Sequence, residues 1–133
     1  MPLITRFEEI KGWQEARDLT QKIYGLTMQG AFSRDFKLVD QIRGASTSIM
    51  ANIAEGFDCE SKLEQSRFLG YARRSAVEVQ SLLYVALDAR FIDKDQFDVL
   101  YTQAEKTKAL VGGWKRSIEN RKGSSTRAQP GNP

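Results

Sequence analysis

Apolar residues recur along most of this chain at intervals of three and four, the period of a helix that buries one face. The first stripe is Trp13, Ala16, Leu19 (or Thr20), Ile23 and Thr27, which predicts a helix over 10–27. A second, Leu38, Ile42, Ala45, Ile49 and Ile53, follows the loop MQGAFS and predicts a helix over 34–55, with Ser33 as its N-cap and Gly56 as its C-terminal stop. The third, over 62–89, opens with Ser61-Lys62-Leu63-Glu64, a capping box in which the Ser61 hydroxyl and Glu64 carboxylate satisfy free backbone N–H groups. Phe68, Leu69, Ala72, Ala76, Val79, Leu83, Ala86 and Leu87 form its apolar stripe. Phe91 and Ile92 anchor a turn, and Asp93 with Gln96 makes a second capping box for a helix over 94–120. Phe97, Leu100, Ala104, Thr107, Val111, Trp114 and Ile118 carry that helix's core face at nearly heptad spacing. Strand alternation and internal repeats are absent from the pattern, so the fold class is all-α: an antiparallel up-down-up-down four-helix bundle over residues 1–121.

Gly112-Gly113 falls inside the fourth helix and should cost about 1 kcal/mol per glycine relative to alanine. Val111, Trp114 and Ile118 nevertheless keep their phase across it. Either another backbone approaches closely there, from within the bundle or from a neighbouring subunit, or the helix frays locally. Beyond it, KGSSTRAQPGNP (122–133) has no apolar residue except Ala128 and reads as a disordered basic tail.

Composition changes the picture by what it removes. With 133 residues the chain is one domain, and it contains no histidine. The commonest general base is therefore missing, along with the Ser-His-Asp and Cys-His constellations and the usual zinc, haem and di-iron ligands. Asp58, Glu60 and Lys62 superficially resemble the carboxylates and lysine of metal-dependent nucleases, but they lie between helices and at a helix start, where acidic residues are favoured anyway. Glycine-rich phosphate loops following a strand are lacking too. The reading assigns no catalytic residue, metal ligand or cofactor. Cys59 is the single cysteine, which fits a reducing, cytoplasmic setting, and no apolar run is long enough to span a membrane.

Charge is distributed unevenly. Residues 105–133 hold Lys106, Lys108, Lys115, Arg116, Arg121, Lys122 and Arg127 against Glu105 and Glu119, a net +5, so the first 104 residues sum to −2 within the total of +3. Lys108, Lys115 and Lys122 recur every seven residues with Arg116 and Arg121 beside them. Repeated cations without charge compensation suit a phosphate backbone, although nothing among them reads base edges. On the third helix Arg67, Tyr71, Arg74 and Glu78 form a polar stripe in which Arg74 and Glu78 are spaced to pair. Ordinary solvated faces are the alternative reading of both stripes.

FEEIKGWQEA (7–16), IYGLT (23–27), KLVDQIRGASTSI (37–49), NIAEGF (52–57) and SKLEQSRFLGYA (61–72), taken in order, resemble the four-helix-bundle proteins encoded in 23S rRNA intervening sequences. The resemblance spans about residues 7–118. It implies a bundle protomer that assembles as a ring-shaped homopentamer, and no enzymatic activity. It also implies kinship with the accessory variability proteins of diversity-generating retroelements, which bind a reverse transcriptase and its RNA and DNA. The string NRKG (120–123) is similar to the C-terminal end of those accessory proteins. The chain departs from the family pattern at Gly44, Met50, Arg74 and Arg90, where arginine, proline, glycine and glycine are frequent.

The expectation is thus an oligomeric basic scaffold that binds RNA, DNA or a nucleic-acid enzyme such as a reverse transcriptase; the alternative is a protein–protein adaptor with only nonspecific nucleic-acid affinity. Lys108, Lys115, Arg116, Arg121, Lys122, Arg127, Arg67 and Arg74 are the candidate nucleic-acid or partner contacts. Arg43, Asn52, Glu55, Gly56, Gly112 and Gly113 are the candidate architectural or oligomer positions. Asn52 is expected to tie the loop or a neighbouring helix, and Glu55 to pair with a cation, Arg43 first. Twelve residues of helix separate those two by about 18 Å, so such a pair must come from another subunit.

Overall fold

The computed structural model describes residues 3–120, and in it the four stripes become four helices: α1 (Lys11–Thr27), α2 (Phe36–Asp58), α3 (Lys62–Asp88) and α4 (Lys94–Glu119). α1 packs on α2 and α4, and α3 packs on the same two. Side chains that meet across the seams fix the directions. Ser75 Oγ donates to Ser48 Oγ at 2.9 Å between α3 and α2, and Gln80 Nε2 to Glu105 Oε2 at 2.9 Å between α3 and α4. Gly12 of α1 lies against Val111 of α4 and Ile53 of α2. The start of α1 thus faces the ends of α2 and α4, Gly56 near the end of α2 meets Phe68 and Leu69 near the start of α3, and Gly112 late in α4 meets Arg73 in the first half of α3, which is the antiparallel up-down-up-down arrangement.

Leu19, Ile23, Ile42, Ile49, Ile53, Leu69, Leu83 and Ile118 are the large side chains at the centre, each under 2% exposed. Phe57 and Trp114, with ring centroids 6.4 Å apart, close one end; Phe32 stacked on Phe91 at 5.1 Å closes the other. Buried hydroxyls stay bonded to their own helices: Thr20 donates to the Ala16 carbonyl, Thr27 to Ile23 and Thr107 to Gln103, each at 2.7–2.8 Å. These back-bonds let a small polar group sit in the core without an orphaned donor.

Helix boundaries depart from expectation mainly at α2. Its N-cap is Asp35, whose carboxylate accepts from the Leu38 N–H at 3.1 Å; Ser33 lies two residues earlier, inside a short 3-10 segment, Phe32–Arg34. At the other end the helix runs two residues past Gly56. In α3 Ser61 caps the Glu64 N–H at 3.3 Å, but the Glu64 carboxylate pairs with Arg67 at 2.9 Å and does not return to the cap. The Asp93/Gln96 box forms in both directions. Among the described residues no helix is long and apolar enough to cross a membrane.

α3 ends in a Schellman motif: the Phe91 N–H donates to the Ala86 carbonyl at 2.9 Å and the Arg90 N–H to Leu87 at 3.0 Å. The motif puts one residue in the left-handed region, and Arg90 sits there with φ 64°. That is why glycine would be the natural occupant. Arg90→Gly should raise unfolding stability by about 0.5–1 kcal/mol, read as a shifted urea midpoint at unchanged slope.

Candidate nucleic-acid interface

The α4 lysines are not bare. Lys108 pairs with Glu105 and Lys115 with Glu119, at 2.9 and 3.0 Å, each lysine side chain only 25% exposed. Lys106, on the far side of the helix, reaches Glu15 of α1 at 2.9 Å. A hydrogen bond from Gln80, then one from Lys108, holds the Glu105 carboxyl below its usual range, and nearby Arg73 adds to this. The expected seven-residue row of uncompensated charge is therefore corrected: carboxylates three and four positions away neutralise both described members. Arg121, Lys122 and Arg127, and the expected tail, lie outside the described residues.

Arg67, Tyr71 and Arg74 of α3 do meet Lys115 of α4. Together with Leu63, Ser66 and Gly70 they line a depression of about 270 Å³. The Lys115 stem crosses α3 at Gly70, where a Cβ would sit in ordinary contact, 3.5 Å from Lys115 Cε. Arg67 is held by Glu64. Arg74 and Glu78 form no ion pair, contrary to the spacing, and both point outward and exposed.

The sharpest electrostatic feature involves Arg73, which was not among the candidate residues. At Gly112, the position a Cβ would occupy is 3.3 Å from Arg73 Nε and 3.4 Å from Arg116 Nη1, so two guanidinium groups from different helices reach one point above a bare helix backbone. Gly113 is 3.9 Å from Arg116 Nη2 by the same measure. Within the chain the atoms nearest the glycine pair are cationic side chains and not the backbone of another helix, and α4 passes through without a break. Neither Arg73 nor Arg116 has an ion-pair partner among the described residues. Two like charges in that position repel each other until an anion arrives.

The segment NIAEGF proves to be interior helix. Gly56 is buried where α2 crosses α3, and a Cβ would lie 3.4 Å from Phe68 Cβ and Leu69 Cδ2, so its part is close packing and not termination. Asn52 donates to the Ser48 carbonyl at 2.8 Å and to the Ser48 hydroxyl at 3.0 Å, reaching α3 only through the Ser48–Ser75 bond. Arg43 is engaged within its own chain: Nε donates to Thr27 Oγ1 at 2.8 Å and the guanidinium lies over the Tyr24 ring at 4.4 Å. Glu55 stands exposed beside a depression lined by Phe7, Phe57 and Phe68, with no ion-pair partner in its own chain among the described residues.

A family model described as 23S rRNA-intervening sequence protein matches residues 8–113. Among solved structures, a protein of unknown function from the S23 ribosomal protein family of Bacteroides thetaiotaomicron superposes with a TM-score of 0.72, at 19% identity, over 82% of this chain and 96% of that one. At that identity the likeness is one of fold. Among curated proteins none matches the chain.

Proposed function

Since the chain belongs to the 23S rRNA-intervening sequence protein family, we propose that it works as a non-enzymatic oligomeric scaffold, ring-like and on the family pattern pentameric, holding nucleic acid or a nucleic-acid enzyme such as a reverse transcriptase. The observation that carries the reading is the convergence of Arg73 and Arg116 over Gly112 without an ion-paired carboxylate. Guanidinium groups match phosphate oxygens with paired N–H donors, and phosphate contacts fix position without reading sequence. Lys115 lies next to this pair on α4, and the sequence adds Arg121, Lys122 and Arg127 beyond it. Each protomer offers a small cationic site of low affinity, and repetition around a ring multiplies such contacts. The missing histidine supports a role in holding a substrate and not in transforming one. The reverse-transcriptase partner rests on the resemblance of NRKG to the retroelement accessory proteins, and the cytoplasmic setting on the lone cysteine.

Light scattering coupled to gel filtration, together with fluorescence anisotropy of labelled RNA and DNA at low and moderate salt, tests the proposal. The expected result is an oligomer larger than a dimer whose nucleic-acid binding weakens steeply as salt rises. A monomer that ignores both probes at low salt overturns it. An oligomer that binds neither probe leaves a protein–protein adaptor as the correct description.

A further inference from the structure

The outward rim of the seam between α3 and α4 changes character along its length, and contacts across the seam fix which residues stand opposite each other. At one end the Tyr84 and Tyr101 rings meet edge to face with centroids 5.9 Å apart. Next along, Gln80 Nε2 donates to Glu105 Oε2 at 2.9 Å. Farther on, Arg73 reaches Gly112, and after it Lys115 crosses Gly70. Successive members are three, four or seven residues apart on both helices, so they form one continuous line along the bundle. Val77, 50% exposed, fills the gap between Gln80 and Arg73. The rim thus runs from aromatic through polar to cationic.

The aromatic end is built as a platform. Tyr84 packs on Phe97 with centroids 4.8 Å apart, and Phe97 in turn stacks on Tyr101 at 5.4 Å. Phe97 is 5% exposed, so the Tyr84 ring is held from behind while Tyr84 itself stays 51% exposed. A ring already immobilised loses little entropy when a flat partner lies on it. The polar stretch points to the same kind of partner. Glu105 is bonded to Gln80 and paired with Lys108; its carboxylate repels a phosphate but can still accept from the N–H groups on a base edge. Eleven residues of helix, roughly 16 Å, separate Tyr84 from Arg73, the length of about five stacked nucleotides.

We infer that a single strand of nucleic acid runs along this rim, with a base stacked on Tyr84 and the sugar–phosphate backbone crossing at Arg73 and Arg116. Stacking on a side chain needs a base face that is free, and inside a duplex both faces of every base are covered by its neighbours. The rim therefore distinguishes single strands, loops and unpaired ends from duplexes, which guanidinium groups alone do not. The inference rests on the nucleic-acid part of the reading above. To that reading it adds the residue that tells the two forms apart.

Anisotropy titrations at low salt test it with three labelled probes: a single strand of about twelve nucleotides, an abasic strand of the same length, and a blunt duplex of that length. The parent protein should bind the base-carrying strand about fivefold or more tightly than the abasic one, the lower end of what one base–aromatic stack contributes. Tyr84→Ala should lose that preference by binding the base-carrying strand more weakly, while the abasic strand and the duplex bind as they do to the parent. Its salt dependence should match the parent's, because no phosphate contact is removed. Tyr84→Leu, which still packs on Phe97 but offers no ring face, should behave like Tyr84→Ala, and Tyr84→Trp should restore the preference. Comparing strands on one protein separates stacking from any change in stability. A Tyr84→Ala protein that favours the base-carrying strand as strongly as the parent, or a parent that does not distinguish it from the abasic one, overturns the path along the rim and leaves Arg73 and Arg116 as a phosphate site. A parent that binds none of the three probes overturns both.

Discussion

Trp114→Ala should destabilise the bundle by about 3–5 kcal/mol, the range for truncating a buried aromatic side chain in a core that cannot collapse around the gap. Trp114 is 3% exposed, faces Phe57 with centroids 6.4 Å apart, and sits where the C-terminal turns of α4 close over the junction of α2 and α3. A domain of this size has only about 5–15 kcal/mol of stability in total, so the loss should lower the melting temperature on the order of 10 °C or more. Trp114→Phe is the informative companion. The indole N–H has no hydrogen-bond partner among the described residues, so phenylalanine forfeits volume but no bond and should cost well under half as much. Thermal melts followed by circular dichroism decide the matter; equal losses for the two variants would mean that the indole N–H is bonded after all. Unravelling of the last turn of α4 would also release the segment that carries Lys115 and Arg116, so the same variant should weaken nucleic-acid binding as a secondary effect.

The contrast between fold and site in what the sequence revealed has a physical origin. Core-facing positions are set by the 3.6-residue period of each helix alone, and Ile42, Ile49, Ile53, Leu69, Leu83, Leu100 and Ile118 all lie where that period puts them. The Asp93/Gln96 box is equally local and formed as expected. Gly56 was misleading because glycine serves two ends, a left-handed stop or a close helix crossing, and only the neighbouring helix decides which; Phe68 and Leu69 decide for the crossing. Ser33 and Asp35 are both good N-caps, and the intervening 3-10 turn selects the second. The neutralised lysines could have been read from the chain, since Glu105 precedes Lys108 by three and Glu119 follows Lys115 by four. Arg73 could not. It falls one residue off the Arg67–Tyr71–Arg74–Glu78 stripe, and it becomes a candidate only when the α3/α4 register carries it to Gly112, thirty-nine positions away in the chain.

That placement leads to the largest functional effect. Arg73→Glu combined with Arg116→Glu should reduce affinity for a single-stranded RNA at low salt by more than tenfold and flatten the dependence of log K on log salt by roughly 1.4, about 0.7 for each single-strand phosphate no longer neutralised. Both side chains are exposed, so circular dichroism and melting temperature should change little. Lys106→Glu supplies the control. That lysine points to the α1 side and is paired with Glu15, so its reversal should leave the slope nearly unaltered even where net charge lowers affinity overall. Gly112→Ala then separates geometry from charge, since it keeps every cation and only fills the point at which the guanidinium groups meet. The atoms in its way are ends of flexible side chains, 3.3 and 3.4 Å off, so they yield, and the helix gains up to about 1 kcal/mol from replacing glycine. A protein that melts higher but binds more weakly would show that α4 keeps its glycine for the anion and not for the fold. A Gly112→Ala protein that binds as well as the parent, or a double charge reversal that leaves the salt slope intact, would remove Arg73 and Arg116 from the interface.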